Sequence, residues 1–455
     1  MAKKIRRLGL LHLVLLMQMS TIVVHAQVAP DAGTVRQEIE TKRETEIPIE
    51  PPPPTAQALP VETPPSGPTV TVSSFEFSGN VLMDSQKLAV ATAGFVARPV
   101  DFSELQKAPI AVADAYRQEG WIVQAFLPLQ EINNGVVKIQ IVEALFGVAR
   151  LEGNQPRRIT FERLSRMIDA QQRRGASLAV GALDRGLLLI NDLPGVTATG
   201  NLSPGKDERE TDLLLKVQDD RLLSGEVIID NAGSRFTGEE RFIGTVSLNS
   251  PFRFGEQLSA TLLYSEGTEY AQLAANMPIG SDGWRVGLNV SHLGYELVAP
   301  EFDALNAKGS STAFGTNASY PLIRARAASL NVSVSYENSR FENEANDITS
   351  TRYKVDTLAT NLNGYAFDDW GGGGFSRAAL AITYGTVDLT GSPNELAVAA
   401  TTKADGGFGK ANYFVSRQQR VTEIFSAYAA VSGQLAGGNL ESSEKFYLGG
   451  ASAIR

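Results

Sequence analysis

Residues 330–337 read "LNVSVSYE". Side chains along a strand point alternately to its two faces. Here Leu330, Val332, Val334 and Tyr336 share one face, and Asn331, Ser333, Ser335 and Glu337 share the other. The pattern recurs. Leu258, Ala260, Leu262 and Tyr264 oppose Ser259, Thr261 and Ser265; Trp284, Val286, Leu288 and Val290 oppose Arg285, Gly287, Asn289 and Ser291; Ala378, Leu380, Ile382 and Tyr384 oppose Arg377, Ala379, Ala381 and Thr383. A soluble sandwich with one solvated face alternates in this way. So does a transmembrane β-barrel, apolar outside and watery within. Two features favour the barrel. The apolar face repeatedly ends in Tyr or Trp, as at an interfacial girdle. No run after the N-terminal segment approaches the ~20 apolar residues of a spanning helix.

Roughly eleven such segments follow Leu222. Closed bacterial barrels use even strand numbers, and an open edge in hydrocarbon leaves N–H and C=O groups unpaired at several kcal/mol each. The expectation is an antiparallel barrel left incomplete within this chain, which gives no heat-resistant band on a gel when expressed as it stands.

The 455 residues are 43% hydrophobic and 20% charged, enough apolar material to bury a core. A net charge of -9 argues against nucleic acid as a partner. The lack of cysteine removes disulfides, zinc fingers and thiol catalysis, and suits an oxidising compartment. Of three histidines, His12 and His25 lie in the N-terminal segment, so only His292 remains for chemistry. Neither a histidine-based catalytic triad nor a multi-histidine metal site is expected, and no cofactor is implied. The start itself reads as an export signal over 1–26: Lys3, Lys4, Arg6 and Arg7, then an apolar run, then Val24-His25-Ala26 before Gln27. A membrane anchor is the alternative; the short run, interrupted by His12 and Gln18, disfavours it.

Residues 27–46 hold a short polar helix, "PDAGTVRQEIETKRET" from Pro30, with Asp31 as cap. It shows no apolar stripe, so it either frays in solvent or fits a watery site. Residues 47–69 are a proline-rich linker, with nine of the 21 prolines between Pro48 and Pro68. Residues 70–144 predict β-α-α-β-β, with the second helix starting or kinking at Pro109. Residues 145–220 repeat that order, with Thr160 capping one helix and Leu183, Leu187 and Ile190 on one side of the next, which Pro194-Gly195 terminates. Residues 221–455 form the barrel portion.

Three stretches carry a resemblance to a known family. They are "LLLINDLPGV", containing Asn191, Asp192, Leu193, Pro194 and Gly195; "DNAGSRFTGEERF", containing Asp230, Asn231, Gly233 and Gly238; and "FYLGGASAIR", containing Gly449, Gly450, Ile454 and Arg455. With them the chain, from Pro30 onward, resembles the ShlB/FhaC/HecB hemolysin secretion/activation proteins, the outer-membrane transporters of two-partner secretion. The resemblance implies an α+β pair of periplasmic POTRA domains followed by a transmembrane antiparallel β-barrel. It makes the first stretch a hallmark of the second POTRA domain, the second the lead-in to the first barrel hairpin, and the third the start of the sixth extracellular loop. In the family that loop's arginine pairs with an acidic residue on an interior strand; the Gly-Tyr or Gly-Phe expected after Arg455 is not in this chain. Pro30, Asp31 and Gly33 are similar to the start of a helix that plugs the resting pore.

The implied function is a translocator in the bacterial outer membrane that secretes, or secretes and activates, a large β-helical exoprotein taken unfolded from the periplasm. Its other implied partners are outer-membrane lipid and the barrel-assembly machinery that inserts it. No enzyme motif competes: "GGGG" at 371–374 lacks the Lys-Ser/Thr of a phosphate loop. An insertase of the same superfamily is one alternative, disfavoured by the small number of α/β units and the plug-like helix. A passive porin is another, disfavoured by the tandem units.

Overall fold

The computed structural model describes residues 29–44, 69–207 and 209–446. The expected signal peptide, almost all of the linker, and Gly449, Gly450, Ile454 and Arg455 lie outside the described residues.

Two small α/β units come after the first helix, α1 (Ala32–Glu44). The first holds β1 (Val70–Thr71), β2 (Ser74–Ser78), α2 (Ser85–Thr92), β3 (Pro99–Val100), α3 (Phe102–Leu105), α4 (Lys107–Gln118), β4 (Val123–Phe126) and β5 (Val136–Glu143). Its main sheet runs β2-β5-β4, with β2 parallel to β5. Leu88, Val112, Tyr116, Ile139 and Ile141 fill the space between helices and sheet. The second holds β6 (Leu145–Glu152), α5 (Phe161–Gln171), α6 (Val180–Asn191), β7 (Val196–Pro204) and β8 (Glu210–Asp219), in sheet order β6-β8-β7. Phe146, Leu164, Ile168, Ile190, Leu213 and Leu215 form its core. Leu183 and Ile190 are buried there and Leu187 packs against them, as their spacing predicts.

Details differ from the expectation. The strand expected over 69–79 is split, because Val72 turns inward and Ser73 N–H bonds Gly135 O rather than a ladder partner. The helix expected over 102–120 breaks at Gln106, not at Pro109. Pro109 is the third residue of α4, where an N–H has no intrahelical partner to lose. Thr160 stands at the N-cap of α5, but only its carbonyl accepts from the helix.

Eleven strands then form one continuous antiparallel sheet, each paired with its sequence neighbours. They are β9 (Leu223–Asp230), β10 (Arg241–Asn249), β11 (Gln257–Ser265), β12 (Thr268–Ile279), β13 (Trp284–Glu296), β14 (Lys308–Arg324), β15 (Ala328–Ala345), β16 (Ile348–Asp368), β17 (Gly374–Asp388), β18 (Gly406–Arg420) and β19 (Ser426–Ala436). Pro321 in β14 is tolerated because a bulge between Pro321 and Ile323 releases that position from the ladder. Gly371, Gly372 and Gly373, all at positive φ, make the β16–β17 turn.

The alternation is that of the sequence. Leu262, Tyr264, Leu288, Val290, Val334 and Tyr336 are exposed on the convex face. Thr261, Ser291, Ser311, Ser339, Thr383 and Ser416 are buried on the concave face. Toward one end the concave face also carries Leu263, Leu293, Tyr295, Phe341 and Tyr353, and these pack on α1. The second α/β unit meets the opposite end, at the turns after β10, β12 and β14. A convex apolar band with a polar interior sets the cost of a misplaced charge. Leu288→Arg should destabilise the full-length protein by about 2–4 kcal/mol in lipid vesicles, whereas Ser333→Arg on the concave face costs far less. Denaturant unfolding in vesicles checks this; equal costs on the two faces would contradict it.

Candidate functional site

The site is built where α1 crosses the concave face. Asp31 caps the helix, its Oδ1 accepting from Thr34 N–H at 2.9 Å. One side of α1 is apolar after all: Ala32, Val35 and Ile39 are buried against Leu263, Leu293 and Tyr295. The expectation of no apolar stripe is thus corrected. Three small or branched side chains spaced i, i+3 and i+7 suffice for a narrow seam, though too weak a one to stand out among polar neighbours.

The polar side is held by one arginine. Arg36, 7% exposed in its side chain, donates Nη2 to Glu337 Oε1 at 2.8 Å, Nη1 to Ser339 Oγ at 2.6 Å and Nε to Glu40 Oε1 at 3.0 Å. Its guanidinium also lies 5.9 Å from the Phe341 ring centre, and Phe341 stacks on Tyr353. Tyr270 Oη donates to Glu40, and Asn343 Oδ1 accepts from both Ala32 N–H and Tyr295 Oη. Such charge-assisted bonds compensate a cation that burial would otherwise penalise heavily. The helix start is equally close-packed. A Cβ on Gly33 would lie 2.8 Å from Ser442 Oγ, Ser443 N and Tyr353 Oη. The segment 441–446 lies along α1, with Gln37 donating to Lys445 O and Lys410 paired to Glu444 at 2.6 Å. Away from α1, towards the α/β units, the interior wall is lined by Asn289, Asn317, Ser333, Asn361 and Asn412.

The "DNAGSRFTGEERF" stretch is the β9–β10 connection, and it sits against α1. Val35, Glu38 and Ile39 share a small crevice with Gly233, Thr237, Gly238 and Arg241. Asp230 binds Arg241 by two bonds of 2.8 and 2.9 Å and accepts from Ala232 N–H. Gly233 is required because a Cβ there would stand 2.1 Å from Gly238 O. Asn231 makes no comparable contact among the described residues.

The "NDLPG" stretch stands at the other end, between the second α/β unit and the sheet. Asn191 clamps Ala198 through both its amide atoms. Asp192 binds Arg324 at 2.8 and 2.7 Å, and its carbonyl accepts from Arg285. Leu193 is buried against Gly255, Pro194 O accepts from Ser250 Oγ, and Gly195 takes a φ of 98°. Asp184–Arg326, Arg185 to Pro321 O and Arg163 to Pro278 O complete the footing. The hydrogen bond to Asp184 raises the Arg326 guanidinium above its ordinary value.

Thus the structure brings Asp31, Gly33, Gly233 and Gly238 together around α1, and places residues 191–195 on the footing. Pro30 lies just outside the helix. Sequence reasoning missed Arg36, Glu337, Ser339, Asn343, Arg324 and Arg326. The available signal was a glutamate on the polar face of "LNVSVSYE" and a lone arginine mid-helix.

An antiparallel sheet of eleven strands, apolar on its convex face, folds around a helix and is footed on the second of two α/β units. The family profile for haemolysin secretion/activation protein ShlB/FhaC/HecB matches residues 209–455, and that for the ShlB-type POTRA domain matches residues 70–144. The chain belongs to the ShlB/FhaC/HecB family. It is 27% identical over 377 residues to the heme/hemopexin transporter protein HuxB of Haemophilus influenzae, covering 82% of this chain and 66% of that relative, just under two thirds of its length. It is 26% identical over 240 residues to the outer membrane transporter CdiB of Dickeya dadantii, covering 50% of this chain and 41% of that one. The solved CdiB from Escherichia coli superposes with a TM-score of 0.65 at 21% identity, covering 94% of this chain and 81% of that one.

Two outcomes follow. Arg36→Ala leaves Glu337 and Glu40 facing each other inside the lumen, a loss of about 3–5 kcal/mol for a broken buried pair. Denaturant unfolding in lipid vesicles should show that loss in Arg36→Ala; an unchanged midpoint would contradict the pairing of helix and wall. At the footing, Asp192→Ala and Arg324→Ala should show a coupling of about 1 kcal/mol, that of a partly exposed ion pair; additive effects in a double-mutant cycle would contradict it.

Proposed function

We propose that this chain is the outer-membrane translocator of a two-partner secretion pathway, with its α/β units in the periplasm. The observation that carries the reading is the lumen occupied by α1: a polar helix held by reversible charge-assisted bonds suits a pore that is closed at rest. Residues 70–144 and 145–220 act as first and second POTRA domains. Their sheet edges, β2 and β4 in one and, in the other, β6 past its Leu145–Ser177 bridge and β7 past the Ala198 clamp, accept an extended chain as an added strand. The partner is a large β-helical exoprotein, unfolded on arrival, whose folding outside supplies the free energy of transit. Outer-membrane lipid surrounds the convex face, and the barrel-assembly machinery inserts it. The linker over 47–69 gives α1 the reach to leave as substrate enters, and Gly449, Gly450, Ile454 and Arg455 belong to the sixth extracellular loop. No catalytic step is part of this function.

The test is deletion of the gene with assay of the culture medium for the exoprotein encoded beside it. Secretion should fall to background and return on complementation. Normal export from the deletion strain would contradict the proposal.

A further inference from the structure

The convex face carries an arrangement that the translocation reading leaves unused. The ladder registers place His292 opposite Thr312, Thr312 opposite Arg340, and Arg340 opposite Lys354, so the four side chains form one lateral row across β13–β16. All four are exposed, and their chain neighbours Ser291, Ser311, Ser339 and Tyr353 are buried on the concave face. The row therefore points outward. His292 Nδ1 and Thr312 Oγ1 lie 2.9 Å apart.

Its height follows from the same registers. Two residues toward the α/β units is the row Val290–Phe314–Asn338–Asp356, and two further is Leu288–Thr316–Tyr336–Leu358–Tyr384. At about 3.4 Å per residue, the cationic row lies about 7 Å above the first of these and about 14 Å above the aromatic one along the strands. It lies beyond the aromatic row on the side away from the α/β units, with Val290 and Phe314 below its His292–Thr312 half and Asn338 and Asp356 below its Arg340–Lys354 half. With those units in the periplasm, that side is the outer leaflet.

Two cations directly opposite each other across a ladder are destabilising unless something neutralises them. Other outward cations have carboxylate partners: Arg352 with Glu342, Lys308 with Glu344 and Asp347, and Arg417 with Asp368. Arg340 and Lys354 make no ion pair among the described residues. On the Lys354 side, Asp388 stands directly opposite and Asp356 two residues along the same face, so Lys354 is partly neutralised there and Arg340 is the cation with no carboxylate against it among the described residues. Asp356 accepts from Tyr336 Oη and Asn338 Nδ2 at 2.6 and 2.8 Å, and Asp388, opposite Lys354, accepts from Thr390 N–H at 3.0 Å. What fits beside the apolar Val290 and Phe314, within reach of a guanidinium, an ammonium and a hydroxyl, is a tetrahedral dianion carried on acyl chains.

We propose that Arg340 and Lys354, flanked by Thr312 and His292, bind a phosphate of a lipid A headgroup in the outer leaflet. The proposal rests on the reading of residues 221–455 as a membrane barrel. The acyl chains lie over Val290 and Phe314, and the phosphate sits against Arg340, on the side of Lys354 away from Asp388.

The test uses the full-length protein in nonionic detergent, titrated by native mass spectrometry with bisphosphorylated lipid A, dephosphorylated lipid A, phosphatidylglycerol and inorganic phosphate. The wild type should prefer bisphosphorylated over dephosphorylated lipid A by about tenfold, the worth of one good charge-assisted contact. It should bind phosphatidylglycerol more weakly and inorganic phosphate not measurably. Arg340→Gln with Lys354→Gln should erase the preference, while Arg352→Gln, on the same face but already paired, should keep it. Equal binding of phosphorylated and dephosphorylated lipid A by the wild type overturns the proposal without recourse to any variant. So does full retention by the double variant, or phosphatidylglycerol binding as tightly as lipid A. A protein that takes up no detergent belt overturns the barrel reading itself, a separate failure from loss of phosphate preference.

Discussion

A backbone amide in hydrocarbon must find its partner within the protein, since no water is there to replace it. That constraint dictates the long antiparallel ladder of β9–β19, in which every strand between the outer two is bonded on both sides. Once the ladder exists, the two-residue period of the strand decides which side chains meet lipid and which meet water. The serines, threonines and asparagines of the concave face are thus a consequence of pairing as much as of function. A register slip of one residue in β15 would turn Ser333 outward and Val334 inward.

The interior made in this way is polar, and α1 is fitted to it by few but strong contacts. Arg36 joins Glu40 on its own helix to Glu337 and Ser339 on β15, so helix and wall share one charge network. The apolar seam of Ala32, Val35 and Ile39 adds contact without a large buried area. A helix attached chiefly by hydrogen bonds to a wet wall can exchange those bonds for water when it leaves, at modest net cost. A helix attached by a wide apolar face could not. The footing at residues 191–195 has the same character: Asp192–Arg324 and Asp184–Arg326 are ion pairs at a rim, surrounding one buried leucine.

The sheet was legible in the sequence because strand alternation is a local signal, and its period survives in each segment independently. The repeat of α/β units was legible for the same reason. The strand break at Val72 and the helix break at Gln106 were not, because each depends on a partner far along the chain. The site was half legible. Asp31, Gly33, Gly233 and Gly238 announce themselves as a cap and as close backbone approaches. Arg36 and Glu337, 301 residues apart, gain meaning only when the fold brings them to 2.8 Å. The seam on α1 escaped because three apolar residues in thirteen barely disturb a polar composition.

The chain contains no native cysteine, so single cysteines can be read without background. The most direct measurement places one at each position from 330 to 337 of the full-length protein in lipid vesicles, and compares labelling by a water-soluble charged maleimide and a lipid-soluble one. The account predicts strict alternation: positions 331, 333, 335 and 337 label from water, and positions 330, 332, 334 and 336 only from lipid. Labelling from water at all eight positions, or protection of the odd positions from both reagents, would contradict it.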